Sequence, residues 1–145
     1  MFKPIFYSLV LPLAIALVGC SDNNEVINME KNGPKPTMDL HITPQDGLVY
    51  GEKVNVSGLM TDERNLEQYV ITITNSAGDT LVRKQQSLLG QSFNVNTDLL
   101  VSLPKNAKTE NLKLRVRLDN SRNGEAVEEF DINNVSAPTF DQLYL

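Results

Sequence analysis

Residues 112–119 constrain the fold more than any other stretch of the chain. Leu112, Leu114, Val116 and Leu118 alternate with Lys113, Arg115, Arg117 and Asp119. Successive side chains of an extended strand point to opposite faces, so this segment has one apolar face and one charged face. A slip of one residue would drive four charges into the core, which fixes the register. Asn123-Gly124 follows, the dipeptide that most readily takes positive φ at both central positions of a tight hairpin turn. The return strand reads Val127, then Phe130 and Ile132. The spacing of three between Val127 and Phe130 breaks the alternation, and a bulge near Glu128 or Glu129 is expected to restore it.

The same period of two recurs upstream. Met38, Leu40 and Ile42 alternate with Asp39, His41 and Thr43, and Pro44-Gln45-Asp46-Gly47 reads as a turn. Lys53-Val54-Asn55-Val56-Ser57 repeats the pattern, with Gly58 and the loop Thr61-Asp62-Glu63-Arg64-Asn65 expected to end it. Tyr69, Ile71 and Ile73 then face away from Val70, Thr72 and Thr74, a β-branched run suited to a pleated surface. Asn75-Ser76-Ala77-Gly78-Asp79 predicts a hairpin loop, with the chain returning from Thr80. Phe93 and Val95 are expected inward against Asn94 and Asn96, and residues 99–103 read as a buried crossing rather than a strand. Seven short strands without a long helical period predict an all-β, immunoglobulin-like antiparallel β-sandwich over residues 38–136. The cysteine pair and buried tryptophan of antibody domains are missing, so the likeness is to the architecture alone, and architecture does not name a function.

What precedes the sandwich reads as an address. Lys3 supplies a positive start, and residues 5–18 form an apolar run, interrupted by Ser8 and Pro12, that is too short to span a bilayer. Leu17-Val18-Gly19 leads directly into Cys20, the only cysteine of the 145 residues. This resembles the lipobox of bacterial lipoproteins, which implies a signal peptide over residues 1–19 and lipidation of Cys20. Two or three acyl chains hold a protein firmly, each buried methylene contributing about 0.8 kcal/mol, without a transmembrane helix. Ser21-Asp22-Asn23-Asn24-Glu25 resembles the short Ser-Asp-x-x-Glu export signal after the lipid cysteine of Bacteroidetes surface lipoproteins, with Ser21, Asp22 and Glu25 as the matching positions. The plainer alternative is an acidic, flexible start to a linker. Residues 20–37 are rich in Asn, Glu, Lys and Pro and close with Gly33-Pro34-Lys35-Pro36, which predicts an extended tether.

The order of lipobox, acidic tether, Thr43-Pro44-Gln45-Asp46-Gly47 and one immunoglobulin-like domain is similar to the amino-terminal part of SusE and SusF-type surface lipoproteins of Bacteroidetes. Residues 137–145, with Phe140 and the closing Leu143-Tyr144-Leu145, look like a linker and the first strand of the module that follows in that family. The resemblance implies an outer-membrane, cell-surface lipoprotein. Its first domain would be a spacer, with carbohydrate binding by modules beyond Leu145 and other outer-membrane glycan-uptake proteins as partners. None of the family's glycan-binding residues has a counterpart here. Composition agrees that sugar stacking is poorly supplied: there is no Trp, and the aromatics after Cys20 are Tyr50, Tyr69, Phe93, Phe130, Phe140 and Tyr144. Tyr50 is the best candidate for an exposed platform, against a more ordinary role in the core or its turn. Phe140 and Tyr144 are expected to pack on a following domain.

Charge and chemistry narrow the classes further. The net charge of -5, or -6 once Lys3 leaves with the signal, argues against nucleic acid as a partner. With Cys20 lipidated, no thiol remains for a disulfide, a metal cluster or a nucleophile. His41, the only histidine, falls on the polar face of its strand, and no Gly-x-Ser-x-Gly elbow is present. Glu128-Glu129 and Asp62-Glu63 are carboxylate pairs, but neighbours on a strand face apart and loop pairs are usually solvated. Asp119-Asn120-Ser121-Arg122-Asn123-Gly124 fits the first half of a calcium loop, yet Phe130 occupies the position of the bidentate Glu. The expectation is therefore no enzyme, no cofactor and no metal site. A self-sufficient adhesin or protein-interaction module, using a sheet edge or loop, is the alternative to a spacer.

Overall fold

The computed structural model describes residues 34–139. They form seven strands: β1 (Thr37–Thr43), β2 (Lys53–Thr61), β3 (Leu66–Thr74), β4 (Thr80–Ser87), β5 (Ser92–Leu100), β6 (Glu110–Asn120) and β7 (Glu125–Val135). Two antiparallel sheets, ordered β1-β2-β5 and β4-β3-β6-β7, make the sandwich that the alternation predicts. The fourth strand pairs with the third rather than staying beside the fifth, unlike the constant-type antibody arrangement.

The core fills the space between the two inner faces. Leu112, Leu114, Val116 and Leu118 of β6 are at most 1% exposed, opposite Val54, Val56 and Met60 of the other sheet, which are fully buried. Each such side chain contributes about 1.5–3 kcal/mol relative to an exposed one. Tyr69 is also buried, its hydroxyl donating to Gln86 Oε1 at 2.8 Å, and burial pushes its pKa up.

Two features of the first sheet depart from the sequence reading. Gly58 does not end β2; the strand runs through it to Thr61, pairing Gly58 with both Leu40 and Val95. Its φ of 147° and the approach of the Asp39 carbonyl and of Leu40 Cα, 2.9 Å from where a Cβ would stand, leave room for no side chain. Residues 99–103 are not a buried crossing. β5 continues to Leu100, and alternation persists, with Leu99 and Val101 buried while Leu100 and Leu103 are about half exposed.

After β1 the chain changes sheets. The Thr43-Pro44 peptide is cis. The following segment, expected as a simple turn, then runs parallel to the end of β7 through bridges Asp46↔Asn133 and Val49↔Ser136. Gly47, with φ of 73°, donates to the Asn133 carbonyl at 3.0 Å, and Tyr50 donates to that of Ser136 at 2.9 Å. Part of the β7 edge is thereby covered.

The β6–β7 hairpin also differs in two ways. The connecting loop holds four residues, Ser121 to Gly124, and only Asn123 of the Asn-Gly pair takes positive φ, 60°. The cause lies in Asn120, whose side chain accepts from the Gly124 and Arg122 amides at 2.7 and 3.0 Å and shapes a wider loop. No bulge occurs at Glu128 or Glu129: pairing is unbroken from Asp119↔Glu125 to Leu112↔Ile132, and the register shifts only beyond that point. Val127 therefore faces outward, 39% exposed, and Glu128 faces inward opposite Val116.

Candidate functional site

Three loops meet at the end of the sandwich where β1 begins. Asp62 N–H donates to the Gln91 carbonyl at 3.0 Å, Leu66 N–H to that of Gly90 at 2.8 Å, and Leu88 N–H to that of Glu67 at 2.8 Å. Gln91 Nε2 reaches the Glu63 carbonyl at 2.8 Å, and Ser121 N–H the Asn65 carbonyl at 2.8 Å. Asn120 ties the third loop in. It is fully buried, and its Nδ2 donates to Asp62 Oδ2 at 2.8 Å while Asp62 Oδ1 accepts from the Arg64 amide at 2.6 Å. A buried amide with its donors and acceptors met fixes the surrounding backbone. The outcome is a braced platform from which Leu89, 94% exposed, projects.

Beside this end, the outer face of the four-stranded sheet carries an open cleft of about 330 Å³ lined by Glu67, Gln68, Arg117, Asp119, Asn123 and Glu125. Asp119 Oδ2 accepts from Gln68 Nε2 at 2.8 Å and from Arg117 Nη2 at 3.2 Å. Arg117 Nε is buried without a hydrogen-bond partner. The cleft offers polar groups of both signs and no aromatic ring, so it has hydrogen-bonding capacity but no surface on which a sugar ring could stack.

Cys20, Ser21, Asp22 and Glu25, together with Phe140 and Tyr144, lie outside the described residues. Tyr50 is not a platform: it is 2% exposed, and its hydroxyl donates to Glu110 Oε1 at 2.8 Å. Burial first, then the Glu110 hydrogen bond and charge, push its pKa up to about 12. Ser76 Oγ donates to the other Glu110 oxygen at 2.5 Å, and these two hydrogen bonds hold the Glu110 carboxyl below its usual range. His41 is exposed on the outer face of β1, paired with Ser57.

The carboxylate pairs do not converge. Glu129 faces out, 3.5 Å from Lys113 Nζ and 3.8 Å from Arg115 Nε, while Glu128 faces in. These half-exposed ion pairs contribute at most about 1 kcal/mol. Asp62 is engaged with Asn120, and the oxygens of the calcium-like stretch are divided: Asp119 serves the outer face, Asn120 the loop backbone. Among the described residues no group of three or more His, Cys, Asp or Glu could hold a metal ion. The Asn120–Asp62 brace was missed by the sequence reading, although a signal existed. The inward period of 112, 114, 116 and 118 runs on to position 120, which places an amide in the core and demands a partner.

No protein-family model matches the sequence, and no curated protein matches it. Among solved structures 18 chains match. One is the crystal structure of Spo0M, a sporulation control protein from Bacillus subtilis, with a TM-score of 0.45 and 9% identity over 72% of this chain and 51% of that one. The match spans about half of the Spo0M chain, and neither fold nor function rests on it.

Proposed function

We propose that this protein is an outer-membrane surface lipoprotein anchored through Cys20, whose sandwich is a non-catalytic spacer or scaffold in a polysaccharide-capture system of the SusE/SusF kind. The observation that supports this most is the polarity of the domain. Thr37 opens β1 beside Thr61 at the braced end, while Ser136 leaves β7 beside Val49 at the other end. The nine residues of β2 between those ends rise about 3.3 Å each, so the chain is carried about 30 Å from one side to the other. A domain threaded in this way takes up the chain at one end and releases it at the other. The buried state of Tyr50 and Tyr69 further supports a role other than sugar stacking.

The test is the intact mass of the protein extracted from its own outer membrane, with protease treatment of whole cells beside it. The expected mass starts at Cys20 plus acyl chains, and the domain should be cleavable from outside. A mass that includes the first nineteen residues, or protection in intact cells, would overturn the reading. Exchange of residues 34–139 for an unrelated sandwich of equal length should preserve polysaccharide retention; loss of retention would rule out a spacer. A protein-interaction module is the second reading, favoured by Leu89 on its braced loops, and for it the Leu89→Asp exchange should abolish partner capture.

A further inference from the structure

The four-stranded sheet ends in two edge strands, β4 and β7, and an edge offers a row of unpaired N–H and C=O groups to any chain that can extend beside it. One inner-face row crosses the whole sheet. Lys84 of β4 pairs with Ile71 of β3, Ile71 with Val116 of β6, and Val116 with Glu128 of β7. The two middle residues are fully buried, and both ends of the row are charged. With strands about 4.8 Å apart, the two backbone positions stand about 14 Å from each other along the row, one on each open side of the sandwich.

Each charge closes its own side. Lys84 Nζ reaches across to Thr97 Oγ1 on β5, where Thr97 is one of two buried polar residues among those described. Glu128 lies half-buried next to β1, where desolvation and then the Asp39 charge push its carboxyl up. Neither forms an ion pair among the described residues, so neither charge is kept for a salt bridge. The other inner-face positions of the two strands are uncharged: Val82 and Gln86 in β4, and Ala126, Phe130 and Ile132 in β7.

We propose that Lys84 and Glu128 keep this domain monomeric, because adding an edge strand of a second copy to β4 or β7 would enclose a charge that has no opposite charge beside it. A strand laid beside β4 would place its own inner-face residue in the row and cut the ammonium off from the water along the seam. The same holds for the carboxylate of Glu128 on the free part of β7. Burying an unpaired charge is costly, so one group at mid-strand is enough to disfavour pairing along the whole edge.

The test is the association state of the full chain in detergent, read by light scattering over a concentration series. Lys84→Leu and Glu128→Leu, singly and together, should lower the dissociation constant for self-association at least about tenfold. Arg83→Leu removes an outward charge from the same edge strand and should leave the protein as monomeric as the unaltered chain. Lys84→Met, with an unbranched stem of similar length, repeats the first measurement should the leucine variant fold poorly. Double variants that stay monomeric, or an Arg83→Leu variant that associates as strongly as Lys84→Leu, would overturn the proposal.

Discussion

Tyr50 donates a 2.8 Å hydrogen bond to Glu110 across 60 residues of sequence, joining the segment before β2 to the first residue of β6 at the base of the sandwich. The ring packs in the core while the hydroxyl meets a carboxylate near the surface, so one side chain ties the segment that runs along β7 to the start of β6. Tyr50→Phe should keep the packing and lose the hydrogen bond, lowering stability by about 1–2 kcal/mol in urea titration. Tyr50→Ala should cost about 3–5 kcal/mol by also leaving a cavity. Equal losses for the two variants would show that the bond, and not the burial, carries the contact.

The brace between Asn120 and Asp62 predicts a second loss. Asn120→Ala removes the acceptor for two loop amides and the donor to Asp62 together, and leaves the Asp62 oxygen short of a partner. A loss of about 2–3 kcal/mol is expected. Amide hydrogen exchange should accelerate in residues 62–65 as well as 121–124. Faster exchange confined to residues 121–124 would mean that the loops are not coupled.

Gly58 predicts the steepest single-methyl effect. Gly58→Ala puts a Cβ against the Asp39 carbonyl and asks an L residue to hold φ of 147°. Stability should fall by at least about 2 kcal/mol, with β1 displaced from β2. A thermal midpoint within a degree of that of the unaltered protein would contradict the close approach.

Glu128 makes stability depend on pH in the sense opposite to an ordinary surface carboxylate. Burial, then Asp39, raise its folded pKa above the reference value of 4.5, so its charged form is disfavoured in the fold. Its contribution is fully present below that reference value and is lost as pH rises through the raised folded value. Glu128→Gln should therefore raise the urea midpoint at pH 7, with the gain shrinking toward pH 4.5. A gain independent of pH would show that the carboxylate is not desolvated.

Much of the fold was legible because strand burial has a period of two. Leu112 to Leu118 fixed both the existence and the inner face of β6, and the loops 62–65 and 75–79 fell where turn-forming residues cluster. The errors share a cause. The apolar Val127 and the spacing to Phe130 point to a bulge, yet unbroken pairing with β6 puts Glu128 inward at that row. Gly58 locally favours a strand end, yet its missing side chain is what lets β1 approach. In each case a neighbouring strand outweighed the local preference.

Which segments are strands and, for most of them, which face is buried follows from the order of residues, because alternation along a strand is a local property of the backbone. The division of the strands between two sheets, the crossing of residues 45–49 to the β7 edge and the meeting of Asn120 with Asp62 arise in the folded chain. So does the placement of Lys84 and Glu128 at opposite ends of one row. Those relationships join residues tens of positions apart, and pairing between distant segments is set by which register satisfies backbone hydrogen bonds and closes the core together.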